Sequence, residues 1–215
     1  MVMKPAAISV RVHSGWGALV GVAGEPGAEE VVERSRVEIV DAKIPGVSQP
    51  YHFAERLCAS KSLSEAQAHV DRCAASSGRL ALTAIQQVVQ RAEERGFHVI
   101  GAVVLLSSAR PLPEFAKVLA SHALIHTAEG EFFRTAFRDA FRQLKIPVSG
   151  IPDRDLDEHA NAAFGKRAAS VRNTIAALGR ALGPPWTQDQ KSAALAAMLL
   201  LANHRALKAS DSTTR

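Results

Sequence analysis

The sequence predicts one α/β domain with five strands, three antiparallel at the start and two alternating with helices afterwards. Two runs of apolar residues, each followed by a glycine-containing turn, open the chain, and a charged third run follows them. A nearly continuous apolar run over 99–106 then lies between segments of helical spacing. The 215 residues, 47% hydrophobic and 22% charged, are within the range that a single α/β core fills.

The first two runs predict a hairpin, and the third predicts an edge strand. Residues 7–13 alternate Ile8, Val10 and Val12 with polar side chains, which is the period of a half-buried strand. Residues 16–23 form the second run and stop at the turn signal 24–27. Residues 30–40 set charged side chains on one face, and charge of this density is typical of an edge strand.

The middle of the chain predicts a loop, a long helix and a central strand. We expect a loop over 41–53, which contains two prolines and a glycine. Ser62 and Glu65 form a capping box, which predicts a helix that runs to Arg95 and ends at Gly96, with Gly78 kinking or dividing it. The run 98–106 predicts a strand buried on both faces at the centre of the sheet.

The second half predicts helices around a short fifth strand. Helical spacing continues to His122, pauses over 127–130 and resumes to Lys145, and residues 147–151 predict the strand. Helices interrupted at Gly165 and over 183–185 complete a single domain over 1–208. Residues 209–215 predict a disordered polar tail.

Composition indicates an anionic partner and a cytoplasmic protein. The net charge of +5 and the pI near 9.6 favour DNA or RNA, because basic side chains gain affinity by releasing counterions from phosphates. Cys58 and Cys73 have no paired spacing and are expected to be reduced thiols. The longest uncharged apolar run, 193–202, is too short to cross a bilayer, and no signal peptide is evident, so no membrane partner is expected.

The predicted element order resembles the ribonuclease H-like superfamily and, within it, the Holliday-junction resolvase branch. The resemblance rests on four stretches. They are residues 8–15 with Gly17 soon after, the run 99–106, Pro147-Val148, and the helix over 189–197. The resemblance implies a five-stranded mixed sheet in the order 3-2-1-4-5 with flanking helices. It covers most of the chain.

The resemblance also implies where a nuclease site would lie. Active members hold two divalent metal ions with acids at the ends of the first and central strands and at the start of the last helix, and carboxylates suit Mg²⁺. Here His13 stands at the first position, and residues 105–107 contain no acid at the second. In the last helix Asp189 matches one acid, but Ser192 replaces another.

The candidate catalytic residues are therefore His13 and Asp189, and the resemblance predicts a degenerate member without efficient two-metal cleavage. Mg²⁺ or Mn²⁺ is expected only if a nuclease has relocated its ligands, with carboxylates such as Asp41, Glu114 or Asp189 converging near Ser107. The simpler alternative is that His13 is an exposed strand residue and that Asp189 favours the positive end of a helix dipole.

Two histidines form a second polar cluster. His122 and His126 are spaced i, i+4 and share a helix face, which is compatible with binding a transition metal. No third ligand is evident at a suitable spacing, so we expect no metal there. The favoured interpretation is that Thr127 caps a new helix whose first turn carries Glu129 and Glu131.

Basic residues supply the candidate nucleic-acid contacts. Phe133, Phe137 and Phe141 predict a buried helix face, and beside it runs a basic ridge, with a second basic group after Gly165. The candidate phosphate contacts are Arg134, Arg138 and Arg142 in the ridge and Lys166, Arg167 and Arg172 in the second group. For the ridge, a solvated helix face is the favoured interpretation, and phosphate contact is the alternative.

Several enzyme classes lack their motifs. The chain has no phosphate-binding Gly-x-x-x-x-Gly-Lys-Ser/Thr loop, no Gly-x-Ser-x-Gly elbow and no Gly-x-Gly-x-x-Gly turn. The acidic group that begins at Asp153 fails as a calcium loop, because Glu158 stands where glycine is needed. We therefore expect a nucleic-acid-binding domain. A metal-dependent nuclease and a protein-interaction module, which includes a homodimer, are the alternatives, and enzymatic activity is left open.

Overall fold

The computed structural model describes residues 3–107 and 111–213, without the side chains of 211–213, and its centre is a five-stranded sheet. The strands are β1 (Lys4–His13), β2 (Trp16–Ala23), β3 (Glu30–Glu38), β4 (Phe97–Leu106) and β5 (Val148–Pro152). Their order is β3-β2-β1-β4-β5. The pairs β1–β2 and β2–β3 are antiparallel, whereas β1–β4 and β4–β5 are parallel. The predicted sheet order and the charged edge strand are confirmed.

The described part of the chain contains seven α-helices. They are α1 (Pro50–Ser60), α2 (Leu63–Glu94), α3 (Phe115–Leu119), α4 (His122–Gln143), α5 (Leu156–Phe164), α6 (Ala168–Leu182) and α7 (Gln188–Thr213). Two short 3-10 turns, Asp153–Asp155 and Gly165–Arg167, precede α5 and α6. No helix of the described residues is long and apolar enough to cross a membrane.

Strand β1 is the middle strand and is covered on both faces. Ile8, Val10 and Val12 pack into one core cluster, and Ala7 packs into a second cluster on the opposite face. Ser9, on the face of Ala7, is completely buried. The prediction of a half-buried strand is therefore wrong, because helix α7 packs over the face that the polar residues suggested was open.

The two faces of the sheet hold different cores. Helices α2 and α4 cover one face, where Phe133, Phe137 and Phe141 are fully buried as predicted. A Cβ atom at Gly17 would lie 2.8 Å from the Phe137 ring, so only glycine lets α4 approach β2 this closely. The opposite face packs against the alanine-rich α7, with α5 and α6 outside it.

Helix α2 begins as the sequence predicts but is not divided. The Ser62 hydroxyl accepts a hydrogen bond from the backbone N–H of Glu65 at 3.2 Å and donates one to its carboxylate at 3.0 Å. The helix continues through Gly78 to Glu94, because one glycine costs only about 1 kcal/mol in a long helix that packs on the core.

Three further local predictions differ from the structure. The expected loop over 41–53 gives way to α1 at Pro50, since proline is favoured in the first helical turn. Helix α4 is continuous, and the Thr127 hydroxyl donates to the carbonyl of Ala123 within it, so the predicted cap is wrong. Helix α7 extends to Thr213 across most of the predicted disordered tail, and residues 214–215 lie outside the described residues.

Candidate functional site

The carboxyl ends of the parallel strands form a cleft of about 480 Å³ at one edge of the sheet. Parallel strands end at the same edge, which is where open α/β sheets usually bind ligands. Strand β1 contributes Arg11 and His13, and the end of β4 contributes Ser107. Helix α4 contributes Arg134, and the turn after β5 contributes Asp153 and Arg154. A second hollow of about 350 Å³ adjoins it and shares Arg11 and Asp153.

Arg11 joins three elements at the centre of this site. Its Nη2 donates to Asp153 Oδ2 at 2.7 Å, and its Nη1 donates to Asp189 Oδ1 at 2.8 Å. Asp153 follows β5, and Asp189 lies in the first turn of α7. One guanidinium therefore pairs with both carboxylates, balances one of their two negative charges, and links β1 to the turn after β5 and to the start of α7.

His13 lies beside this pair without completing a hydrogen bond to it. The Nε2 atom of His13 is 3.2 Å from Oδ2 of Asp189. This nitrogen is buried and makes no hydrogen bond in the described structure. The imidazole stacks on Trp16 with ring centroids 4.2 Å apart, and the guanidinium of Arg36 lies 3.5 Å from the centre of the same indole ring. Stacking therefore fixes the histidine at the strand end.

Arg134 brings a third positive group to the cleft. Its Nε donates to the carbonyl oxygen of Leu105 at 3.1 Å, at the end of β4. A Cβ atom at Gly130 would lie 2.6 Å from Nη1 of Arg134, so the glycine leaves the space that this side chain occupies. Nη1 is buried and has no hydrogen-bond partner among the described residues. Burial lowers the pKa of Arg134, yet a guanidinium remains charged at neutral pH.

Acids do not converge near Ser107 in the described part of the chain. Asp153 is the only acid that lines the cleft, and Asp41 and Glu114 are not part of it. Asp189 reaches the site through Arg11 and His13. The only described group of three histidine, cysteine or acidic residues with ligand atoms close together lies elsewhere.

The sequence-predicted phosphate contacts separate into different environments. Arg134 lines the cleft, and Arg172 borders the adjoining hollow while donating to Asp157 at 2.7 Å. Arg138 pairs with Glu131, and Arg142 is exposed and pairs with Asp139 at 3.0 Å. Lys166 and Arg167 lie in an exposed 3-10 turn, and Arg167 borders another cavity with Phe164 and Arg205.

Sequence reasoning missed Arg11 and Asp153. Arg11 lies two residues before His13 and therefore on the same face of β1, and this spacing could have placed Arg11 in the site. Asp153 directly follows a parallel strand, and its position at the carboxyl end of that strand could also have indicated a site residue. Their pairing joins residues 142 positions apart, and no local spacing indicates it.

The two histidines of α4 have a third histidine beside them. Ligand nitrogens of His52, His122 and His126 all lie within 4.8 Å of one another. The Nε2 atoms of His122 and His126 are 3.1 Å apart. Behind them the carboxylate of Glu129 is buried and accepts hydrogen bonds from the backbone N–H of His52 at 3.1 Å and from its Nδ1 at 2.9 Å. The sequence-based reason for expecting no metal, the lack of a third ligand, is therefore wrong.

Comparisons with known proteins identify a similar fold. No protein-family model matches the chain, and no curated protein matches it. A structure of RuvC from Thermus thermophilus is 12% identical, with coverage of 93% of this chain and 95% of that one and a TM-score of 0.49. T. thermophilus RuvC in complex with a Holliday junction substrate is 11% identical, with coverage of 93% and 94% and a TM-score of 0.51. Taken with the strand order, the latter superposition identifies the chain as having a ribonuclease H-like fold of the resolvase type.

Proposed function

We propose that this protein binds nucleic acid at the carboxyl ends of β1 and β4 and does not cleave it efficiently. The observation that carries the proposal is the double ion pair of Arg11 with Asp153 and Asp189. A protein cation occupies the position between the carboxylates, and phosphate-binding groups surround it.

The donor set of the cleft does not fit two divalent metal ions. Two-metal cleavage needs several carboxylates around ions about 4 Å apart. The cleft is lined by three arginines and one aspartate, and the nearby Asp189 already pairs with Arg11. A metal ion would have to displace a guanidinium from its two carboxylate partners and would meet the positive charge of Arg134.

The same charges suit a phosphate group. Arg134 lines the cleft, and its guanidinium charge would attract a phosphate oxygen. Arg154 is 80% exposed at the rim of the cleft and pairs only loosely with Asp155, at 3.2 Å. The similar T. thermophilus protein is in complex with a nucleic-acid substrate in one of its structures. We therefore assign the main phosphate contacts to Arg134 and Arg154, with Arg172 at the adjoining hollow.

The remaining candidate contacts have secondary roles in this proposal. Arg142 is exposed and lies two helical turns after Arg134 along α4, so it extends the basic surface from the cleft. Arg138 is held by Glu131 and Thr135, which reduces its capacity to bind a phosphate. Lys166 and Arg167 form a separate exposed group, and a long ligand would reach them only beyond the cleft.

Binding and cleavage are tested separately on the full chain. Fluorescence anisotropy would measure affinity for labelled single-stranded, duplex and four-way branched DNA of matched length over a series of salt concentrations. The test variant is Arg154→Glu. The control is Lys208→Glu, which makes the same charge change at an exposed position near the end of α7, about 28 Å along the helix from Asp189.

We expect Arg154→Glu to weaken binding at least tenfold and to flatten the salt dependence by about one logarithmic unit, since phosphate contacts dominate such binding. Lys208→Glu should stay within twofold of the native protein. Incubation of the same substrates with Mg²⁺ or Mn²⁺ should give no cleavage. Cleavage that disappears in Asp189→Asn would contradict the proposal and favour the nuclease alternative. Lack of binding to all three substrates at low salt would favour the protein-interaction alternative.

A further inference from the structure

We propose that His52, His122 and His126 bind one zinc ion, with Glu129 as the hydrogen-bonded support of His52. This site is independent of the strand-end cleft and of the proposed nucleic-acid binding. His126 precedes Arg134 by eight residues on α4, a distance of about 12 Å along the helix axis.

The spacing of the ring nitrogens fits a tetrahedral zinc ion. Zinc binds imidazole nitrogen at about 2.0–2.1 Å, which places two ligand nitrogens of a tetrahedron about 3.3 Å apart. The Nε2 atoms of His122 and His126 are 3.1 Å apart, and the three imidazoles have ligand nitrogens within 4.8 Å of one another. Small side-chain rotations would bring the third nitrogen to the same ion, because His122 and His126 are exposed.

Glu129 prepares His52 for metal binding. A carboxylate only accepts hydrogen bonds, so Nδ1 of His52 carries the proton in its 2.9 Å contact with Oε1 of Glu129. The lone pair of Nε2 is then available to a metal. A carboxylate that holds the second nitrogen of a ligating histidine is the usual support of zinc sites. The backbone N–H of His52 donates to the same oxygen, which fixes the start of α1 against α4.

The burial of Glu129 favours a positive charge nearby. The residue is only 5% exposed, and in the described part of the chain its only ion-pair partner is His52. A buried carboxylate without a cation is costly, whereas a zinc ion on His52 would supply the charge through the imidazole. A zinc ion on His52 would therefore suit the charge of this buried carboxylate as well as the geometry of the three imidazoles.

The ligand set selects the class of metal. Imidazole nitrogens suit zinc and neighbouring transition metals, whereas Mg²⁺ and Ca²⁺ prefer oxygen ligands. Three histidines leave the fourth position of a tetrahedron for water or another exchangeable ligand. The exposure of His122 and His126 gives the ion a path from solvent. We infer a zinc site with one exchangeable position that also joins α1 to α4.

Metal binding by the untagged, chelator-treated full chain tests this inference. Zinc would be titrated by calorimetry in competition with a chromophoric chelator, and Co²⁺ would be added separately to report coordination geometry by visible absorption. The test variants are His52→Ala, His126→Ala and Glu129→Gln. The controls are His98→Ala and His159→Ala, which remove exposed histidines outside the cluster.

We expect one zinc ion per chain, no competition by Mg²⁺ and a tetrahedral Co²⁺ spectrum. His52→Ala and His126→Ala should each weaken zinc binding at least 100-fold, and Glu129→Gln should weaken it about 10–100-fold. The control variants should bind within twofold of the native protein, and circular dichroism would verify the fold of each variant. Zinc affinity that is unchanged in a folded His52→Ala variant, or equally reduced in a control variant, would overturn the assignment.

Discussion

Replacing Arg11 with methionine should destabilise the protein by about 2 kcal/mol while retaining most of the packed side-chain stem. Arg11 makes two charge-assisted hydrogen bonds, one to Asp153 and one to Asp189. Bonds to charged groups contribute about 1.5–3 kcal/mol when they are well buried, and exposed ion pairs contribute about 0–1 kcal/mol. The side chains of Arg11, Asp153 and Asp189 are 27%, 36% and 21% exposed, so about 1 kcal/mol for each contact is an intermediate value.

Urea denaturation and thermal scans would measure this loss. For a domain of this size about 2 kcal/mol corresponds to a fall in Tm of about 4–8 °C. The matched control is Arg154→Met, because Arg154 is 80% exposed and its pair with Asp155 should contribute less than about 0.5 kcal/mol. Equal losses in the two variants would refute the conclusion that Arg11 joins three elements. A cycle with Asp189→Asn would show whether the two residues are coupled.

Three further predictions concern α4, the core and pH. Gly130→Ala should displace the Arg134 side chain and weaken DNA binding severalfold without unfolding the protein, as anisotropy and circular dichroism would show; unchanged affinity would contradict the placement of Arg134. Phe137→Ala should cost about 3–5 kcal/mol in the free energy of unfolding, because its ring is fully buried, and a loss below about 1 kcal/mol would contradict the packing. Burial, and then Arg72, lowers the pKa of His69, so the unfolded chain takes up this proton first as the pH falls. Stability should therefore decrease below about pH 6.5, the ordinary histidine pKa, and His69→Gln should reduce that decrease in urea titrations at several pH values; an identical pH profile would contradict it.

The sheet was predictable because its signals are local. The glycine turn after β1, the charge on β3 and the apolar run of β4 each act within one element, and together they indicate the order of strands. The capping box at Ser62 is likewise a contact between residues three positions apart. Local patterns of this kind can be identified from the sequence without knowledge of the tertiary structure.

The chemistry was less predictable because it depends on long-range contacts. Asp189 pairs with an arginine 178 positions away, and His52 meets a carboxylate 77 positions away. The sequence identified His13, Asp189 and the two histidines of α4, but their partners come from other elements. Burial also changed the interpretation of β1, since Ser9 on its polar face lies under a helix instead of facing solvent. Tertiary packing determines which residues are partners and which strand face is buried, and the spacing of residues along the sequence does not indicate either.

The central place of β1 has a consequence for the order in which the chain can fold. Its register with β4 pairs Ala7 with Gly101, so its second hydrogen-bonding edge has no partner until 94 more residues have been synthesised. The hairpin is complete at Ala23, 78 residues before Gly101, so at about 5–20 residues per second it has an unpaired edge and apolar residues on both faces for about 4–16 s. Exposed edges of this kind pair readily with other chains. We therefore expect the nascent hairpin to pair readily with other chains until β4 is synthesised, unless the ribosome surface or a chaperone covers it.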